Sequence, residues 1–228
     1  MATPEHFLAL HHDYQTTYVG LFDGSTLRDH RACENKQASK QLCVIIDEIL
    51  QRNNLTLKQC SFLAANQGPG PFTTLRVIIA CLNGIAYATN LPIIGVNGIE
   101  TFVQEQHDPA YFYTFALCNA FCNDVYYAMI DAKKTAMAVG CVHYEDIITM
   151  LQHLPVHNIK LVGNSADAKR VELSMRLGNK IAIPEPCPTA ASLEAIGRQA
   201  YQQWCETKTG TNQLLPLYFK NSSTKIAV

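Results

Sequence analysis

Phe62–Thr101 reads FLAANQGPGPFTTLRVIIACLNGIAYATNLPIIGVNGIET, and this stretch decides the fold. It opens on Phe62-Leu63-Ala64-Ala65, an apolar run of the length of a buried strand. Gly68-Pro69-Gly70-Pro71 follows as a turn, and Thr73 or Thr74 is placed to cap a helix. From Leu75 to Ala88 the chain has no proline and a single glycine, and Asn90 and Pro92 stop the helix. Ile93-Ile94-Gly95-Val96 is a second short strand. Strand, turn, helix and strand in this order make a βαβ crossover, which sets the two strands parallel in one sheet.

The helix of this unit is apolar nearly all round. Leu75, Ile78, Ile79, Leu82, Ile85 and Ala86 form a broad face of large side chains. Val77, Ala80, Cys81, Gly84 and Ala88 form a face of small ones, and Arg76, Asn83 and Tyr87 a narrow polar strip. Such a helix is covered on both sides. One side meets the sheet; the other meets a second layer of the same chain or a partner.

Outward from this unit, residues 6–11 and 16–22 read as strands, Asp23-Gly24 as a hairpin turn, and 25–33 as a third strand. Gln37 to Arg52 reads as an amphipathic helix with Leu42, Ile45, Ile46, Ile49 and Leu50 on one face. The order to Val96 is β-β-β-α-β-α-β, the mixed-sheet order of the actin and sugar-kinase superfamily. The rest reads as a second, smaller half: a helix at 97–106, strands at 111–118, 124–131 and 136–143, a helix at 144–153, a strand at 159–163, a helix at 165–177 and a short strand at 181–183. After the prolines at 184, 186 and 188, a last helix runs from about Thr189 to Glu206. No repeat is evident. The division expected is a first lobe at 1–97 and a second at 98–228.

Composition excludes several classes. Hydrophobic residues are 48% and charged residues 16%, with a net charge of -1, so there is no global electrostatic case for holding nucleic acid directly. No apolar run approaches the roughly 18 residues of a membrane helix, and MATPEHFLAL lacks the pattern of a secretory signal. Nine dispersed cysteines without a CxxC pair point to free thiols in a reducing cytoplasm.

The candidate chemistry is thin. His11-His12-Asp13 looks like a metal cluster, but neighbours on a strand point to opposite faces, so no metal is expected. The Gly68–Pro71 loop precedes a helix N-terminus, yet its prolines remove amide donors and no GxxxxGK[ST] is present. No GxSxG elbow exists for a nucleophile.

Gly68-Pro69-Gly70-Pro71-Phe72-Thr73-Thr74-Leu75-Arg76 resembles the GPGSFTG[LV]R signature of the TsaB (YeaZ) family. Asn83-Gly84-Ile85-Ala86, Leu91–Val96, Asn119–Ala128 and Leu215–Lys220 are similar to further motifs of that family, in the same order along nearly the whole chain. The resemblance implies an actin-like (ASKHA), two-lobed fold with a degenerate second lobe, no cofactor and no catalysis of its own. It implies a scaffold that docks through its first-lobe helices onto the catalytic paralogue TsaD, with the ATPase TsaE joining, in forming threonylcarbamoyladenosine next to the anticodon of tRNA. Transfer RNA is then met only through the complex, and no membrane is involved; separately, the apolar area of the helices at 37–52 and 74–88 leads to the expectation that the free protein self-associates through the same surface. On that reading the docking faces are Leu42, Ile45, Ile46 and Ile49 of the first helix, with Leu75, Ile78, Ile79, Leu82, Ile85 and Ala86 of the second. The signature loop is Gly68, Pro69, Gly70, Phe72, Thr73 and Arg76. The chain departs from the family pattern at His11, Pro71, Thr74, Asn119 and Phe121. The competing class is a stand-alone enzyme, an actin-fold phosphotransferase or a peptidase; His11 in place of a magnesium-binding Asp speaks against the first, and missing metal histidines against the second.

Overall fold

The structure, a computed structural model, describes residues 5–135 and 137–219. Ala136, at the head of an expected strand, and Lys220, at the end of the C-terminal motif, lie outside the described residues. The chain divides into two compact units, one built from the chain up to Gly98 and from Ser192–Leu217, the other from Ile99–Ala191.

In the first unit, strands β1 (His6–His12), β2 (Thr16–Asp23) and β3 (Thr26–Glu34) form an antiparallel meander. Asp23 pairs with Thr26, so the hairpin turn is Gly24-Ser25, one residue beyond the expected one. Helix α1 (Ala38–Arg52) leads to β4 (Cys60–Asn66), helix α2 (Phe72–Thr89) and β5 (Ile93–Val96). Both β4 and β5 run parallel in the sheet, giving the order β3-β2-β1-β4-β5. The βαβ reading holds, and Asn90 ends α2 in the left-handed conformation, φ 59°, with its amide on Ala86 O at 2.7 Å.

The second unit follows the same plan. Strands β6 (Tyr113–Asn119), β7 (Asp124–Asp131) and β8 (Met137–His143) make a meander, followed by α4 (Tyr144–His153) and β9 (Ile159–Val162). Helices α5 (Asn164–Ala168) and α6 (Arg170–Leu177) then lead to β10 (Ile181–Ala182). The sheet order β10-β9-β6-β7-β8 matches the first sheet strand for strand. Its last strand is reduced to two residues, which is where the second lobe is degenerate. The single helix expected at 165–177 is two, broken at Lys169 (φ -108°, ψ 18°).

Strand periodicity sorts the core of the first unit into two layers. Leu8, Leu10, Val19, Leu21, Leu63 and Ala65 cluster with α1 and α2 on one face. On the other face Phe7 stacks on Phe62 at 4.3 Å and on Phe22 at 5.0 Å, and Phe62 meets Trp204 at 4.8 Å. Trp204 belongs to α7 (Leu193–Thr207), which falls in the first unit and not, as the division at residue 97 predicts, with residues 98–228. The helix is capped by Ser192, whose Oγ accepts from Ala195 N at 3.0 Å, and it returns to the first sheet, where Trp204 joins the stacked rings of Phe62, Phe7 and Phe22. Helix α3 (Gly98–Glu105), the one after β5, belongs from Ile99 on to the second unit.

Among the described residues α2 is, by length and composition, apolar enough to cross a membrane, contrary to the expectation that no run reaches that length. Its place as the crossover between β4 and β5 accounts for the composition: its inner face is part of the core of the sheet.

Gly197 of α7 sets a contest between two effects. Alanine is the better helix former by about 1 kcal/mol. A Cβ at this position, however, would overlap the ring of Phe22. Overpacking of this kind costs about 1–3 kcal/mol and outweighs propensity. Gly197→Ala is expected to lower the midpoint of thermal unfolding; a rise would mean that α7 is not seated on Phe22.

Candidate partner surface and its signature loop

The loop is held from below by Asn66, the last residue of β4. Its Oδ1 accepts from Gly68 N at 2.9 Å, and its Nδ2 donates to His11 Nδ1 at 3.1 Å. Gly98 N donates to Gly68 O at 2.8 Å, and Gly98 itself sits so close that a Cβ would strike Asn66 Oδ1. Gly68 adopts φ 114°, open only to glycine. A Cβ at Gly70 would overlap the imidazole of His12, so glycine is required there by close approach. Neither threonine caps α2. The N-cap is Pro71, without a side-chain bond, while Phe72 and Thr73 lie in the exposed first turn and Thr74 is buried.

Gln67 and Asn83 tie the C-terminal segment alongside. Gln67 Nε2 donates to Leu215 O at 2.7 Å, and Leu217 N donates to Gln67 O at 2.9 Å. Asn83 donates to Leu214 O at 2.9 Å and accepts from Leu214 N at 2.8 Å. Of the polar strip read on α2, Asn83 is thus a clasp for the tail. Arg76 lies over the Phe72 ring, 3.6 Å from its centroid.

The structure reverses the two faces of α2. Leu75, Ile78, Ile79, Leu82 and Ala86 are buried in the chain's own core, and Ile85 is half-buried against it. Leu42, Ile45, Ile46 and Ile49 of α1 are buried in the same cluster. None of these ten, expected as docking residues, offers an open face. The reason is volume. Small residues against a flat sheet leave voids, whereas each fully buried Leu or Ile contributes about 1.5–3 kcal/mol. The large side chains therefore go to the sheet and the small face turns outward. It carries exposed Ala80, Gly84 and Ala88, with Phe72 52% and Tyr87 90% exposed. A Cβ on Gly84 would meet nothing within 4 Å. Helix α1, packed beside α2, adds Val44, 55% exposed, and exposed Cys43.

At the inner end of the loop, His12 is 2% exposed and, among the described residues, both ring nitrogens lack a hydrogen-bond partner. Burial pushes its pKa down to about 4, with the Asp13 backbone and carboxylate offsetting only part of the shift. The ring is therefore neutral at pH 7. It stands 6.1 Å from the ring of His11, which is also buried. Sequence reading missed the roles of Asn66, Gln67 and Asn83, since an amide in an apolar run gives no sign of the backbone groups it meets. It also missed a cleft of about 260 Å³ in the second unit, lined by Asn119, Asn123, Asp124, Tyr144, Asn164 and Lys169 among others. Phe121, Cys122 and Asn123 beside it are consecutive residues with φ of 60°, 55° and 62°.

The sequence model of the TsaD family, tRNA N6-adenosine threonylcarbamoyltransferase, matches residues 33–159, more than half of the chain. The chain belongs to this family. In keeping with the resemblance of the loop motif, the chain is similar to a protein from Haemophilus influenzae, the tRNA threonylcarbamoyladenosine biosynthesis protein TsaB. That protein is 31% identical over 105 residues, 45% of this chain and 44% of its own length. A tRNA N6-adenosine threonylcarbamoyltransferase of Geobacter metallireducens is 44% identical over 57 residues, 25% of this chain and 17% of its own length. The matches thus span less than half the length of these curated relatives. Among solved structures, YeaZ from Pseudomonas aeruginosa superposes with a TM-score of 0.69 at 18% identity, over 94% of this chain and 99% of that one. The fold is the actin-like, two-lobed one expected from the strand order.

The buried neutral His12 makes stability depend on pH. Its folded pKa of about 4 lies below the unfolded 6.5, so the unfolded state binds the extra proton. The contribution is complete above pH 6.5 and is lost as pH falls from 6.5 to about 4. At about 1.4 kcal/mol per pKa unit this is about 3 kcal/mol. Chemical denaturation of the wild type and His12→Gln across that range is expected to give an acid slope steeper in the wild type by this amount. Equal slopes would place the His12 ring in contact with water.

Proposed function

We propose that this chain is the non-catalytic subunit of a cytoplasmic complex that makes threonylcarbamoyladenosine in tRNA, docking onto a TsaD-type catalytic subunit. The observation that carries the reading is the outward face of α2 and its neighbour on α1: Phe72, Ala80, Gly84, Tyr87 and Val44 form an apolar surface on a rigid helix pair. Small residues on a helix let a second helix approach closely. The occupant we assign is a family member, because the TsaD family model runs through residues 33–159, which hold α1, the loop and α2 of this chain, and like faces can pair about a two-fold axis. In the absence of that partner a second copy of the chain takes its place. The ATPase TsaE joins the assembled pair, and tRNA is met through the complex, in keeping with a net charge of -1.

The rival, an actin-fold phosphotransferase, finds little support in the residues present. At the end of β1 stands His11, whose Nδ1 is engaged with Asn66, rather than a carboxylate. The space under Gly70 is filled by the uncharged ring of His12. These residues do not fit a magnesium–nucleotide at that loop. The purified chain alone is accordingly expected to show no ATP turnover; turnover that disappears on substituting His11 would favour the rival.

The docking surface is tested by two variants in a pull-down with the TsaD-type subunit, each checked first by circular dichroism. Gly84→Glu places a charged side chain on the outer face where there is room for it, and glutamate is the better helix former. It is expected to melt no lower than wild type and to bind at least a hundredfold more weakly, a loss of about 3 kcal/mol. Ile78→Asp, in the core, is expected to unfold. A folded Gly84→Glu that binds like wild type would remove this face from the interface.

A further inference from the structure

Cys43 of α1 and Cys81 of α2 face each other across the helix pair, with their Sγ atoms 3.9 Å apart. Cys43 is exposed and Cys81 half-buried. Cys60 and Cys118, by contrast, are buried. We infer that Cys43 and Cys81 form a modification site, converted by a small disulfide oxidant into a disulfide that staples α1 to α2.

The geometry needs little rearrangement. A disulfide has its sulfurs about 2.05 Å apart, so the pair closes by roughly 2 Å, a distance that rotation of the two side chains shares. Both helices pack in one core cluster within one unit. The two positions are 38 residues apart, so the link closes a long loop in the unfolded chain.

The chemistry runs in two exchanges. Cys43, the sulfur open to solution, attacks glutathione disulfide as its thiolate; the S–S bond of the oxidant breaks and one glutathione leaves as thiolate. Cys81 then gives its proton to solvent and attacks Cys43 Sγ, expelling the second glutathione. Two protein thiols are oxidised to one disulfide, and one glutathione disulfide is reduced to two glutathiones. The Cys81 thiol is pushed up to about 12, by burial first and by its Cys43 neighbour second. Ring closure needs the Cys81 thiolate, so it quickens as pH rises. The pair sits on the outer face assigned to docking, so a partner bound there would shield it; that consequence rests on the docking reading, whereas the cross-link does not.

The test uses the full reduced chain, treated with glutathione disulfide from neutral to alkaline pH, alkylated, digested and analysed by mass spectrometry. The expected product is a peptide pair joined through Cys43 and Cys81, formed faster at higher pH, with a melting temperature raised by several degrees and restored by a reductant. Exposed Cys122 and Cys205 are the internal controls and should stop at the mixed disulfide with glutathione. In Cys81→Ser, Cys43 should stop there too; in Cys43→Ser, Cys81 should remain a thiol. The inference is overturned if wild-type Cys43 also stops at the mixed disulfide. It is equally overturned if the joined peptides come from two different chains, as a mixture of isotopically light and heavy protein would reveal.

Discussion

A single buried carboxamide holds the first unit's functional end together. Asn66 is almost fully buried, and a buried amide that leaves donors or acceptors unused is costly. Here Oδ1 takes the Gly68 amide and Nδ2 serves the His11 ring, with the His12 carbonyl a longer contact at 3.4 Å. One side chain thereby joins the end of β1, the end of β4 and the start of the loop. Its position fixes where Gly68 turns, and so the point from which α2 departs. The glycine at 98 follows from the same constraint, because the amide fills the space a Cβ would need.

From that anchor, α2 is clamped by three kinds of contact. Its large side chains fill the gap over β1, β2 and β4. Asn83 pins the tail at Leu214, and Gln67 pins it again at Leu215 and Leu217. The C-terminal segment thus locks the loop and helix of the crossover from outside the sheet. A helix held on this many sides is a rigid platform, and rigidity lowers the ordering cost of presenting a surface to a partner.

Much of the fold was legible because it rests on local rules. The βαβ unit declared itself by its apolar runs, its Gly-Pro turn and the Asn90 stop, all short-range signals. The faces of α2 were not legible. A helix apolar on both sides gives periodicity no polar reference, and only the shape of the sheet decides which side carries Ile78 and Leu82. The return of α7 escaped for a similar reason: Leu193, Ile196, Ala200 and Trp204 read as one more apolar helix face, and nothing in their spacing says that Phe7, Phe22 and Phe62 wait on the first sheet. The second half reads in the same element order as the first, but that its sheet repeats the first strand for strand shows only in the pairing. Topology survives in the second unit where sequence does not, and β10 has shrunk to two residues. At the loop, the glycines were visible but their causes were not, since Gly70 answers to a histidine 58 positions earlier in the chain (70 minus 12).

The division of labour on α2 also bears on how a free subunit survives before it meets a partner. Large exposed apolar patches invite aggregation, and a docking face of leucines would be such a patch. Alanine and glycine expose little apolar area each, so the outer face of α2 stays modest while unpartnered. Their value appears only on contact, when the absence of long side chains lets another helix come close and many weak dispersion contacts form at once. Phe72, Tyr87 and Val44 at the edges supply the larger anchors, and Arg76 over Phe72 keeps that ring partly covered meanwhile. Recognition on such a surface depends on fit rather than on greasiness. A partner whose own helix is bulky at the crossing gains nothing, whereas one with a matching small-residue face gains the whole contact. The same sequence feature that made the helix ambiguous to read, apolar on one side and small on the other, is what lets one side build the core and the other select its company.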